Sequence, residues 1–143
     1  MVRFEVPGEP RGKGRPRIAR AGRFARLYPD EKTESYEALV RLAFKQAAPG
    51  FVPLDGPVAL SLIAFCGIPK SASKRKTAAM LAGELRPTRK PDLSNVVKVV
   101  EDGMNSVVFR DDALIVSIMA EKRYSDRPRL EVEIREIGGE KTS

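Results

Sequence analysis

The sequence predicts a single domain in which helices pack on a β-sheet, and three observations carry that prediction. The chain has 143 residues, enough for one domain to bury a real core without disulfides or a structural metal. Four stretches read as strands, because they alternate apolar with polar residues or are rich in β-branched ones: Val2 to Val6, Val58 to Cys66, Ile115 to Tyr124 and Leu130 to Ile137. Between them apolar residues recur at helical spacing, at Leu39, Val40, Ala43, Phe44 and Ala47 and again at Val96, Val99, Val100 and Gly103.

Each element has its own justification. Val2 to Val6 is followed by a loop, Gly8 to Arg17, too rich in Gly and Pro for regular structure and carrying Arg11, Lys13, Arg15 and Arg17. Arg20, Arg23 and Arg26 extend the basic stretch toward Tyr28. Tyr28-Pro29-Asp30 suits a turn into a helix that Asp30 or Thr33 caps and Pro49-Gly50 ends, a helix of the core and not of a site. Cys66, at the end of the second strand, is a small core residue, since no His is present to activate it. Pro69-Lys70-Ser71 opens a second basic segment, where Ser71 or Ser73 caps a short helix through Lys74, Arg75 and Lys76 to about Leu81, ended by Gly83. Arg86, Arg89 and Lys90 then bring positive charge up to Pro91, which holds Lys90 extended.

A helix is expected from Asp92 to about Met104. At about 100° per residue, Val96, Val99, Val100 and Gly103 fall on a side that packs on the sheet, apart from a polar ridge of Asn95, Lys98, Asp102 and Asn105. Ser106 to Phe109 reads as a short extended segment ending in Asp111-Asp112. A turn at Ser125 to Pro128 joins the last two strands, and the final residues read as a frayed tail.

Composition narrows the function. A formal net charge of +7 and a pI of about 9.8 call for an anionic partner, with nucleic acid first. One cysteine and no histidine exclude an internal disulfide and a zinc site, and fit a reducing compartment. No apolar run reaches membrane-spanning length, and Met1 to Pro10 lacks the features of a signal peptide, so a cytoplasmic location without membrane association is expected. Without histidine, the usual Ser/His and Cys/His catalytic pairs are absent, which leaves carboxylates, lysine and metal ions as the available chemistry.

Those groups gather between Arg89 and Asp112. Magnesium prefers hard oxygen ligands and commonly takes only one or two protein carboxylates, so Asp92 and Asp112 suit it if the helix folds back on the segment after it. Lys98, on the edge of the polar ridge, is placed to hold a phosphate oxygen or to balance the carboxylates. The cations expected on DNA are Lys13, Arg15, Arg17, Arg20 and Arg23 upstream, and Lys74, Arg75, Lys76, Arg89 and Lys90 beside the acids. Duller readings stand beside these: a solvated basic arm, Asp92 as a plain helix cap, Asp111-Asp112 as a turn, and Asp102 with Lys98 as a helix-face ion pair.

The order Lys90-Pro91-Asp92, Asn95, Lys98, Asp102, Asn105 and Asp111-Asp112 resembles the signature of the RusA family of Holliday junction resolvases, usually of phage or prophage origin. The likeness extends to the basic loop Gly8 to Arg17, to Tyr28 to Tyr36 and to Lys70 to Glu84. It implies an α+β domain with a mixed β-sheet covering residues 1–143. It further implies a homodimer that uses Mg2+ or Mn2+ to nick four-way DNA junctions at two symmetry-related positions. By the same resemblance Asp92 and Asp112 are catalytic aspartates and Lys98 is a functional lysine, while Asp102 and Asp111 match acidic positions. One position departs: the family has Asp-x-Asp-Asn where this chain has Asp92-Leu93-Ser94-Asn95, so a neutral hydroxyl replaces the second carboxylate among the metal ligands. Three accounts are open: a chain altered there to remove activity, a natural junction binder that no longer cleaves, or replacement of the lost carboxylate by Asp111 or Asp102. A non-cleaving branched-DNA-binding protein and a basic RNA-binding or assembly protein are the alternatives to a nuclease.

Overall fold

β4 (Val58–Gly67) is the centre of the molecule, bonded along its length on both edges. In chain order it follows β1 (Val2–Pro7), β2 (Arg17–Ala21), β3 (Phe24–Tyr28) and α1 (Glu31–Ala47). After it come α2 (Lys74–Leu81), α3 (Leu93–Met104), a single 3-10 turn (Asp112–Leu114), β5 (Ile115–Ser125) and β6 (Arg129–Glu136). The computed structural model describes residues 1–28 and 30–138; the frayed tail expected at the end and Pro29 of the expected turn lie outside the described residues.

Four strands form one mixed sheet in the order β1-β6-β4-β5, and β2 pairs with β3 in a separate hairpin. β6 runs antiparallel to both β1 and β4, whereas β4 and β5 are parallel. This is the α+β domain with a mixed sheet that the sequence predicts. Helices cover one face of the sheet: Phe4, Val6, Leu60, Leu62, Ala64, Leu130, Val132 and Ile134 meet Tyr36, Val40 and Phe44 of α1 and Val96, Val99, Val100 and Met104 of α3. The α3 set recurs every three or four residues, so one stripe is buried and the ridge opposite stays wet. Phe44 packs edge-on against Phe4 and Phe51, with ring centroids 5.8 and 5.2 Å apart.

The parallel pairing of β4 with β5 places the site. Parallel neighbours cannot be joined by a tight turn, so the chain must travel back along the sheet before β5 begins. α3 makes that return. At its start, Lys122 of β5 donates to the carbonyl of Arg89 (2.6 Å), and Arg86 donates to the carbonyl of Lys122 (3.2 Å). Beyond its end, Phe109 bridges to Leu54, just before β4.

The structure corrects three expectations. Ser106 to Phe109 is a turn and not an extended segment: Ser106 has φ 69°, the amides of Val107 and Val108 bond back to Met104, and Val108 and Phe109 are buried as part of the core. β5 and β6 are joined through the expected turn but do not pair; β4, whose alternate residues Val58 to Cys66 are buried, takes the central place between them. Arg17 to Tyr28, read as an extension of the basic loop, is the β2–β3 hairpin, with Gly22 (φ 63°) first of the two residues at its tip.

Gly103 marks the closest approach of α3 to α1. A Cβ there would lie 3.1 Å from the carbonyl oxygen of Glu37 and 3.3 Å from Val40. Gly103→Ala should therefore lower stability by about 1–2 kcal/mol in urea denaturation, against the gain of about 1 kcal/mol expected from helix propensity alone. An unchanged or raised midpoint would show that the two helices can part at no cost.

Candidate active site

Asp92 occupies the cap position of α3 with extended backbone, and its carbonyl accepts from the amides of Asn95 and Val96 (3.0 and 3.1 Å). Its carboxylate makes no cap bond. It is exposed and pairs with Lys90 at 3.2 Å, across a cis Lys90–Pro91 peptide bond. Being a plain cap therefore does not account for this side chain. Ser94, the second residue of the helix, is also exposed.

The other carboxylates lie about 15 Å along the helix, at the rise of 1.5 Å for each residue between Asp92 and Asp102. There the turn after α3 brings Asp111 and Asp112 alongside Glu101 and Asp102. The exposed Asp112 carboxyl is held above the ordinary aspartate range by its neighbour Asp111, first through a hydrogen bond and then, after a slight loss of hydration, through charge, with Asp102 adding to it. Glu101 is raised as well, first by burial and then by the charge of Asp112. Sequence reasoning missed Glu101, although a signal was present: Ser94, Lys98, Glu101 and Asn105 are spaced four, three and four apart and fall on one line of α3. The structure thus gives Asp112 the neighbours Asp111, Asp102 and Glu101, and gives Asp92 the neighbour Lys90.

Lys13 is the second residue whose place differs from its sequence reading. Its amide donates to the carbonyl of Asn95 (3.0 Å), so the loop lies along α3, and its ammonium reaches down the helix to pair with Asp102 and, at 3.7 Å, with Glu37. The bond to Asp102 raises the Lys13 pKa, whereas Glu37 is raised by burial more than Lys13 lowers it. Lys13 is thus engaged by carboxylates, and Asp102 pairs with it and not with Lys98. Gly12 has a packing role: a Cβ there would sit 2.9 Å from the Asn95 side chain and 3.3 Å from Pro91. The amide of Gly14 donates to Thr33 (2.8 Å), and Arg17 bonds Asp30 (3.0 Å), the carboxylate that caps α1.

The remaining predicted cations are all exposed: Arg15 in the loop, Arg20 and Arg23 on the hairpin, Lys74, Arg75 and Lys76 on α2, and Arg89 and Lys90 before α3. They are not one cluster. They form two basic segments, one on each chain approach to α3.

With that geometry in place, the comparison with known proteins is direct. The family model for endodeoxyribonuclease RusA matches residues 7–135, from the end of β1 to β6. The chain belongs to the RusA family. It is also 36% identical over 138 residues to an uncharacterized protein of Bacillus subtilis (strain 168), YqaN, with 95% of this chain and 96% of that protein covered. RusA proteins are Holliday junction resolvase nucleases that bind branched DNA and generally depend on divalent metal ions. Among the described residues, no helix is long and apolar enough to cross a membrane.

The donor chemistry of this RusA chain fits a divalent cation at the Asp111–Asp112 end. The carboxylate oxygens are hard ligands, two of the acids are neighbours in the chain, and their mutual repulsion is what a cation relieves. Among the described residues no three His, Cys, Asp or Glu side chains converge as a metal cage, so two carboxylates at most, completed by water and phosphate, would serve. The Lys13 pair gives a separate test. Lys13→Ala leaves Asp102 and Glu37 without their shared cation and should cost about 1 kcal/mol of stability, an effect that Asp102→Asn in the same chain should shrink. Additive losses in the double-mutant cycle would show that the pair contributes nothing.

Proposed function

We propose that this RusA-family protein is a structure-specific endonuclease that binds four-way DNA junctions and resolves them by paired, symmetric nicks with Mg2+ or Mn2+. The observation that carries this reading is the RusA family match over residues 7–135, with the adjacent acids Asp111 and Asp112 exposed after α3 in a protein of net charge +7. Repulsion among those acids opposes folding unless a cation or substrate uses them. Asp112 and Asp111 would hold the metal, with Ser94 and Asp92 on the approach along α3. A bound divalent cation supplies an activated water and neutralises charge on the scissile phosphate. Lys98, exposed on the same line of α3 as Ser94 and Glu101, holds a phosphate oxygen. The exposed cations of the hairpin, α2 and the segment before α3 draw the DNA strands over the acids, which would otherwise repel them.

Ser94 argues for a second reading. It sets a neutral hydroxyl where the family pattern carries a carboxylate, so cleavage is impaired and the protein acts as a junction binder. A synthetic four-way junction with either metal separates the two. Nicking that Asp112→Asn or Asp92→Asn abolishes while binding survives supports the nuclease, and nicking that persists in both variants removes these residues from the site. Ser94→Asp should raise the nicking rate at least tenfold if the serine limits cleavage. Equal affinity for junction, duplex and RNA would replace both readings with a general nucleic-acid or assembly role.

Two matched cuts require two matched sites, which supports a homodimer. The face of the sheet not covered by helices carries a concavity of about 470 Å³ over Ser61, Ile63 and Met119. Its charges are already matched: Arg3 with Glu133, Arg129 with Glu131, and Arg127 with Glu5. A neutral rim around an apolar floor suits a second copy better than a polyanion. Ile63→Lys should convert a dimer to a monomer in light scattering; a dimer that survives it uses another surface.

A further inference from the structure

The β2–β3 hairpin is the least packed part of the described chain, yet it exposes some of its largest apolar side chains. Phe24 is 78% exposed, Leu27 68% and Ile18 61%. An isolated two-stranded hairpin is marginally stable, and its apolar groups gain nothing by facing water. Alternation along β3 puts Phe24, Arg26 and Tyr28 on one face, with Phe24 next to the Gly22-Arg23 tip. Among the described residues no carboxylate pairs with Arg20, Arg23 or Arg26.

We propose that this hairpin is a base-stacking arm: Phe24 and Tyr28 stack on bases exposed at the branch point of a DNA junction, while Arg26 between them and Arg23 at the tip hold the flanking phosphates. The proposal rests on the junction-binding reading and deepens it. Aromatic faces interleaved with arginines are the usual means of holding unpaired bases, because every base offers a π-face and every nucleotide a phosphate. Another copy of the arm is a poor occupant, since each would bring Arg20, Arg23 and Arg26, none paired with a carboxylate among the described residues, against the other. The root of the arm is fixed: Arg17 on Asp30, Gly14 on Thr33 and Lys13 on Asn95 and Asp102 tie it to α1 and α3. From that root five residues of strand reach about 17 Å.

The test is a four-way junction with 2-aminopurine at the branch point and a second one with the probe inside a duplex arm. The parental protein should raise the fluorescence of the first several-fold and leave the second unchanged. Phe24→Ala with Tyr28→Ala should abolish the rise and weaken junction binding about 5- to 150-fold per stack lost, with duplex affinity and thermal melting unchanged. Phe24→Trp should keep the rise, and because the chain has no other Trp, its own emission should be quenched by the junction and not by duplex. Junction binding with no branch-point signal, or equal loss on junction and duplex in the double variant, overturns the stacking arm but leaves junction binding standing. A parental protein that does not bind the junction overturns both.

Discussion

The parallel pairing of β4 with β5 is the constraint on which the rest depends. It forbids a short connection, obliges α3 to run back along the sheet, and so assigns the polar residues of that helix to two stations. Asp92 stands at the station where the strands end, and Asp111 and Asp112 at the one where they begin. The buried stripe Val96, Val99, Val100 and Met104 fixes the rotation of the helix and with it the direction of the line through Ser94, Lys98 and Glu101. Core packing and the exposed polar line are therefore a single problem here: a helix that turned to bury different residues would present a different set to solvent.

The amino-terminal loop adds a second layer of control. Gly12 and Lys13 lie on α3 because a side chain at position 12 would collide with Asn95, and because the Lys13 ammonium finds Asp102 and Glu37 in a half-buried setting. The loop is a strap across the helix, and the hairpin begins where the strap ends. Basic residues with the same composition thus do two jobs. Lys13 neutralises the protein's own carboxylates, while Arg20, Arg23 and Arg26 meet no carboxylate among the described residues.

Most of the helix and strand content was legible in the sequence because it rests on local patterns. Ser73 caps α2, Asp30 caps α1, and the periodic residues of α3 are buried, as spacing alone predicts. What was not legible depends on long-range contact. Nothing local says that β4 separates β5 from β6, or that Lys13 finds Asp102, 89 residues away. The hairpin escaped because its strands expose apolar residues and arginine alike, so no buried face imposes an alternation to read. Around the end of α3, Asp111, Asp112 and Lys98 stood out by their pattern, whereas the place of Glu101 beside Asp112 depends on the turn after the helix and has no local mark.

The matched ion pairs on the uncovered face of the sheet bear on how the protein meets its partner. With charge balanced there, the excess positive charge is carried elsewhere, on the hairpin, on α2 and on the approach to α3. Such a molecule is electrically lopsided. In the field of a polyanion such a charge distribution experiences a torque as well as an attraction, so it arrives with its basic segments foremost. Added salt slows that arrival by weakening the steering, before it loosens any contact made afterwards.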